Sequence, residues 1–180
     1  PSIAGKIRLV WLGSNYPDQG EYNLMNDKSA LQYLLQSEVS FDMVTVRYGK
    51  PSGTDAVRVT QKEINRKMPG LGPHVSDSIT GRHGGRYNNF GDYSVELFRH
   101  IDYYGDPPSR ALFDVAAVAI VKNPGWAHSR KIPAPLYTNN QWTQQPDNDR
   151  KLTLWEDFKR DSIIKDFYHT LKHYTPVKGK

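Results

Sequence analysis

Residues 7–12 read IRLVWL, an almost continuous apolar run that stops at Gly13. A strand with one wet face alternates apolar and polar residues; a run without alternation belongs on a strand covered on both faces, as in a parallel sheet. The next segments agree. Within NDKSALQYLLQ, 26–36, Asn26 or Asp27 is a candidate N-cap, and Ala30, Leu31, Leu34 and Leu35 recur at helical spacing. FDMVTV, 41–46, returns to strand character. Strand, loop, helix and strand make a βαβ unit, whose crossover leaves the strands parallel. The chain is therefore expected to be α/β, an open and mostly parallel sheet flanked by helices. Such sheets bind ligands beyond the C-terminal ends of their strands, so the loop leaving Gly13 is the first place to look for a site.

At 180 residues the chain has room for one domain with a real core and not for two large ones, so 1–180 is read as a single unit. Residues 48–90 are rich in Gly, Pro, Ser and Asn apart from an expected helix over Val57–Lys67. In that stretch GRHGGRYNNFGDY reads as a mobile flap or as an ordered surface loop. Further helices are expected at Tyr93–Ile101 and Ala111–Val121, the second ended by Pro124 and Gly125. An aromatic meander then leads to a last strand, Leu152–Trp155, and to a terminal helix over 158–173.

The chain has no cysteine, which excludes disulfides, thiol catalysis and thiolate metal sites. No apolar run is long enough to cross a membrane and no signal peptide is read, so localisation is left open. A net charge of +5 comes from scattered basic residues with no stripe, which argues against nucleic acid as a partner.

The loop GSNYPDQGEYN, 13–23, carries Asn15, Glu21 and Asn23. A carboxylate accepts hydroxyl hydrogens while a carboxamide both donates and accepts, a set suited to a cis-diol such as ribose. Along an extended loop Glu21 and Asn23 alternate and point the same way, with Tyr22 opposite. The competing reading makes them turn and cap residues. Asp114, just inside the apolar helix ALFDVAAVAIV, is either a partner for the helix dipole or one oxygen ligand of a hard cation. His83, His100, Tyr103 and Tyr104 are candidate acids or base-stacking groups, and His169 and His173 stand four apart on the terminal helix.

Together these pieces resemble the C-terminal half of the inosine-uridine type nucleoside hydrolases. GSN and EYN match that family's ribose-binding Asn and Glu-aromatic-Asn elements at the family's spacing, and NDKSALQYLL is similar to its "DPEAA" helix. LFDVAAVAIV is similar to its "HDPLAVAYLL" helix. The resemblance implies cleavage of the N-glycosidic bond of ribonucleosides, with Asn15, Glu21 and Asn23 on the ribose. Ca²⁺ would be held in part by Asp114 and would orient water. Phe113 stands where many members carry a histidine that protonates the leaving base, and phenylalanine transfers no proton. The family's N-terminal D-T-D-x-G-x-D-D cluster is missing from 1–180. The implied alternatives are a hydrolase completed by an N-terminal segment and a ribose-binding remnant without turnover. A homo-oligomer is also implied.

Overall fold

The computed structural model describes residues 3–175. In chain order its elements are β1 Arg8–Leu12, α1 Tyr22–Asn26, α2 Lys28–Gln36, β2 Ser40–Val44, β3 Arg58–Thr60, α3 Gln61–Lys67, β4 His74–Thr80, β5 Arg86–Asn89, α4 Phe90–Arg99, β6 Ser109–Ala111, α5 Phe113–Lys122, β7 His128–Pro133, β8 Leu136–Thr138, β9 Gln141–Thr143, β10 Lys151–Glu156 and α6 Arg160–Lys172. They form two compact units, the first running through Val57 and resuming over Leu112–Arg160, the second made of Arg58–Ala111 and the chain from Asp161.

The first unit is built on a four-stranded sheet in the order β1-β2-β10-β7. β1 and β10 both pair with β2 in parallel, Trp11 and Leu154 each lying opposite Met43. β7 closes the far side antiparallel to β10. This is the parallel-rich, helix-flanked α/β sheet that the unalternated apolar runs require. On one face Phe41 and Met43 of β2 and Leu152 and Leu154 of β10 pack with Leu24, Leu31 and Leu35 from α1 and α2. Asp27 caps α2, its Oδ1 accepting the Ala30 N–H at 2.9 Å, which fixes the helix phase that turns Leu31 and Leu35 inward. α5 packs against β1 and buries Ala116, Ala119 and Ile120.

IRLVWL departs from its expectation. From Phe41 to Val44 β2 is buried, but Leu9–Leu12 of β1 are only half-buried, because β1 is the outermost strand of this sheet. Apolar content reports that a strand is to be covered and does not report what covers it.

In the second unit β3 pairs with β6, and the hairpin of β4 and β5 precedes α4. The expected helix from Val57 starts later, since Arg58–Thr60 is a strand and Thr60 is the N-cap of α3. GRHGGRYNNFGDY folds as the hairpin turn, β5 and the start of α4. Gly84 and Gly85 turn there at φ 89° and 74°, which only glycine adopts without strain, and the Gly81 N–H donates to the Gly85 carbonyl at 3.1 Å. Among the described residues no helix is long and apolar enough to cross a membrane.

Thr60 and Glu63 form a reciprocal capping box, the Thr60 Oγ1 accepting the Glu63 N–H at 3.1 Å and the Glu63 carboxylate accepting the Thr60 N–H at 3.2 Å. Thr60→Ala should cost about 1 kcal/mol. Denaturant unfolding should read that loss together with faster amide exchange in the first turn of α3, while Thr60→Ser keeps both near wild type.

Candidate functional site

Because β1, β2 and β10 run parallel, their C-terminal ends share one edge of the sheet. A residue other than glycine sits in the left-handed region just beyond each of them. Ser14 follows β1 with φ 69°, Arg47 follows β2 with φ 49°, and Asp157 follows β10 with φ 55°. Each such backbone costs on the order of 1 kcal/mol, and conformations of that kind collect at functional sites. Gly13 fits the same crowded edge, since the Trp11 ring folds back over it and a Cβ there would lie 2.1 Å from that ring.

Asn15, Glu21 and Asn23 all attach to the end of β1. Glu21 is buried, at 6% exposure, and its Oε2 accepts two backbone N–H groups, Ser14 and Leu24, each at 2.9 Å. It is the N-cap of α1, held at φ 155°. Asn23 lies inside α1, so the two do not alternate along an extended loop as expected; a helical turn brings them to the same strand end. The Asn23 Nδ2 donates to the Leu12 carbonyl at 3.0 Å. The Asn15 side chain spans the loop, its Nδ2 donating to the Gln19 carbonyl and its Oδ1 accepting the Tyr48 N–H, both at 3.2 Å.

Arg47 locks this edge. Its Nε donates to the Tyr16 carbonyl at 2.8 Å and its Nη1 to Ser52 Oγ at 3.0 Å. Its Nη2 meets Glu156 Oε2 at 2.8 Å, with the two side chains 10% and 12% exposed. Arg130 Nε donates to the other Glu156 oxygen, also at 2.8 Å. Burial alone would raise the Glu156 pKa, but the hydrogen bonds and charges of Arg130 and Arg47 together outweigh it and hold the carboxyl below its ordinary value. His128, Glu156 and Asp157 place ligand atoms within 4.8 Å of one another. With two guanidinium groups already on Glu156, a divalent ion there would meet two positive charges, so the chemistry of this donor set favours the ion pairs over a metal.

Tyr48 connects the second candidate motif to the first. Its N–H is held by Asn15, and its ring meets Phe113 edge to face with centroids 5.9 Å apart. Phe113 is half-buried at the start of α5, and Asp114 is exposed in the first turn. His83, His100, Tyr103 and Tyr104 belong to the second unit. There His83 and His100 stack 4.1 Å apart, and His100 Nδ1 is 2.9 Å from the Glu96 carbonyl. The Tyr104 hydroxyl donates to Asp102 at 3.4 Å, while burial raises the pKa of Tyr103. His169 and His173 face each other on one side of the terminal helix, 4.5 Å apart. Sequence reading passed over Arg47 and Tyr48. Their place directly after the strand FDMVTV, at the same sheet edge as Gly13, is the sequence signal that points to them.

Solved structures share this fold. An inosine-uridine preferring nucleoside hydrolase from Bacillus anthracis matches 96% of this chain with a TM-score of 0.61 at 18% identity. A plant nucleoside hydrolase matches 90% of it with a TM-score of 0.60 at 14% identity. The match takes in 53% and 50% of those two chains, so this chain spans about half their length. No family model and no curated protein matches its sequence.

Glu156 also makes stability depend on pH. A carboxyl whose folded pKa lies below its unfolded one favours the native state above the unfolded value and loses that contribution as pH falls through the folded value. Glu156→Gln should cost about 3 kcal/mol near neutral pH, because Arg47 is left without its partner. Urea unfolding at pH 7 and at pH 4 should find the variant closer to wild type at the lower pH.

Proposed function

We propose that this chain carries the ribose-binding side of a hydrolase that cleaves the N-glycosidic bond of ribonucleosides. One observation carries the reading: Asn15, Glu21 and Asn23 are gathered at the C-terminal end of β1, in a fold shared with nucleoside hydrolases. Glu21 supports it best. Helices are ordinarily capped by Ser, Thr, Asp or Asn, and a buried glutamate with its backbone at φ 155° is a costly way to cap the five residues of α1. Both backbone donors go to Oε2, which leaves Oε1 as the atom to accept a sugar hydroxyl.

Breaking a ribosyl bond passes through an oxocarbenium-like state, so the protein must hold the sugar still and keep charge balanced around it. In this reading Glu21 Oε1 accepts one hydroxyl hydrogen of the diol. Asn15 and Asn23 each keep hydrogen-bonding capacity beyond their bonds to the loop and strand, and they take the neighbouring hydroxyl. Phe113 and Tyr48 supply an aromatic wall for the base and have no acid at the Phe113 position, which suits a base that leaves without protonation from that side. A calcium ion does not fit the residues described here. Ca²⁺ takes about six to eight oxygens, and Asp114 offers one exposed carboxylate, so no step is assigned to the ion.

A second reading is a ribose-binding module without turnover. It is favoured by the same shortage of carboxylates and by the hydrogen bonds that Asn15 and Asn23 already make to the protein. Calorimetry with ribose, inosine and uridine, run beside an assay for released ribose, separates the two. Binding with release supports the hydrolase, binding without release the module, and the absence of both from folded protein rejects each. Glu21→Gln keeps an acceptor for Ser14 and Leu24 but loses the charge. It should weaken ribose binding about tenfold or more, as expected for a hydrogen bond to a charged group worth about 1.5–3 kcal/mol, with thermal unfolding little changed.

A further inference from the structure

The sheet edge opposite Asn15, Glu21 and Asn23 has a cavity of its own. Val39 precedes β2 and Arg150 precedes β10, so both stand at the N-terminal ends of parallel strands. Arg150 reaches across, its Nη2 donating to the Val39 carbonyl at 2.5 Å. It lines a cavity of about 320 Å³ between the C-terminal half of α2, the start of β8 and the loop before β10, a volume at the lower end of those that hold small molecules. Leu35, Pro135 and Leu136 give the cavity an apolar wall, and no acidic residue lines it.

Arg150 differs from the other arginines of this unit. Arg8 pairs with Asp42, and Arg47 and Arg130 pair with Glu156. Arg150 is half-buried and has no carboxylate partner among the described residues. Its Nε is buried without an acceptor, and its Nη1 makes no hydrogen bond to the described residues either. A guanidinium withdrawn from water with only one carbonyl to satisfy it is costly, and an anion on its open side is the usual compensation.

The amides around it add donors. Gln145 Oε1 accepts the Asn148 Nδ2 at 3.3 Å, which leaves the Gln145 Nε2 to donate. Gln36, the last residue of α2, is exposed and its amide bonds none of the described residues. Gln32 gives its Nε2 to the Tyr137 carbonyl at 2.5 Å and keeps only its oxygen. Asn148 is spent on its own loop, with Nδ2 also on the Ala134 carbonyl at 2.9 Å and Oδ1 accepting the Arg150 N–H at 3.0 Å.

We infer that this cavity binds a small organic monocarboxylate, its oxygens on Arg150 Nη1 and the Gln36 and Gln145 amides and its hydrocarbon part against Leu35, Pro135 and Leu136. One guanidinium balances one negative charge. A phosphate dianion fits less well, because its second charge stays unneutralised near the C-terminal end of α2, where the helix dipole is negative. The site lies at the other end of the strands from the candidate sugar site, and the inference stands whether or not ribose binds there.

The test is NMR titration of the chain with sodium butyrate, with butyramide as the neutral counterpart and inorganic phosphate as the competing anion. Butyrate should bind with a Kd on the order of 1 mM. It should shift the side-chain N–H signals of Arg150, Gln36 and Gln145 and leave those of Asn15 and Asn23 in place. Butyramide and phosphate should bind about tenfold more weakly or worse, and Arg150→Gln should weaken butyrate by about the same factor, as expected for losing a charged hydrogen-bond partner. Gln36→Leu, at an exposed position that leaves the fold intact, should weaken it about threefold and carries the test if Arg150→Gln does not fold. No butyrate binding, equal binding of butyramide or phosphate, shifts confined to other residues, or wild-type affinity in a folded variant each overturns the inference.

Discussion

Arg47 holds together loops that the sheet alone would leave independent. The turns after β1 and β2 and the last residue of β10 meet on its guanidinium through Tyr16, Ser52 and Glu156, and its own backbone is bent into the left-handed region. Taking such a charge out of water costs several kcal/mol unless its hydrogens are satisfied. Here Nε, Nη1 and Nη2 each have a partner within 3.0 Å, so the network repays its burial only while every loop stays in place. That condition is what makes the edge a fixed frame. The Asn15 loop is anchored through the Tyr16 carbonyl and the Tyr48 N–H, and Glu21 is anchored through Ser14.

The fold class was legible because it depends on local pattern. The unalternated runs IRLVWL and FDMVTV, with a capped amphipathic helix between them, leave few arrangements other than parallel strands, and the ladder Leu9 to Phe41 and Trp11 to Met43 is the result. The position of β1 at the edge was not legible, because a strand's sequence records its need for cover and not the source of it. Thr60 was hidden for a different reason. Its capping box with Glu63 is a local signal, but the preceding Arg58 and Val59 also suit a helix, and only pairing with β6 makes them a strand.

Asn15, Glu21 and Asn23 gather at the end of β1, but with a local geometry other than the expected extended loop. Glu21 and Asn23 reach the end of β1 through a helical turn, since Glu21 caps α1 and Asn23 is its second residue. The network around Arg47 was not legible because two of its partners are remote in sequence: Tyr16 lies 31 residues away, and Glu156 is on the last strand. Charge pairs of that range leave no periodic trace. Strain leaves none either, and Ser14, Arg47 and Asp157 are unremarkable as letters.

The structural and functional readings of Glu21 are compatible, and the geometry explains how. A carboxylate has two oxygens with several lone pairs between them, and both backbone donors are taken by one oxygen. A serine or aspartate would cap α1 as well without a long side chain folded under a strained backbone. What the glutamate adds is a second, rigidly placed acceptor whose position is fixed by the cap itself. In the proposed function, an acceptor of that kind would orient a sugar without itself activating water, and the one carboxylate of Asp114 is too few oxygens to hold a calcium ion for that step. The division is the one the sheet already makes: β1 is paired along its length with β2, and Asn15, Glu21 and Asn23 gather at its C-terminal end.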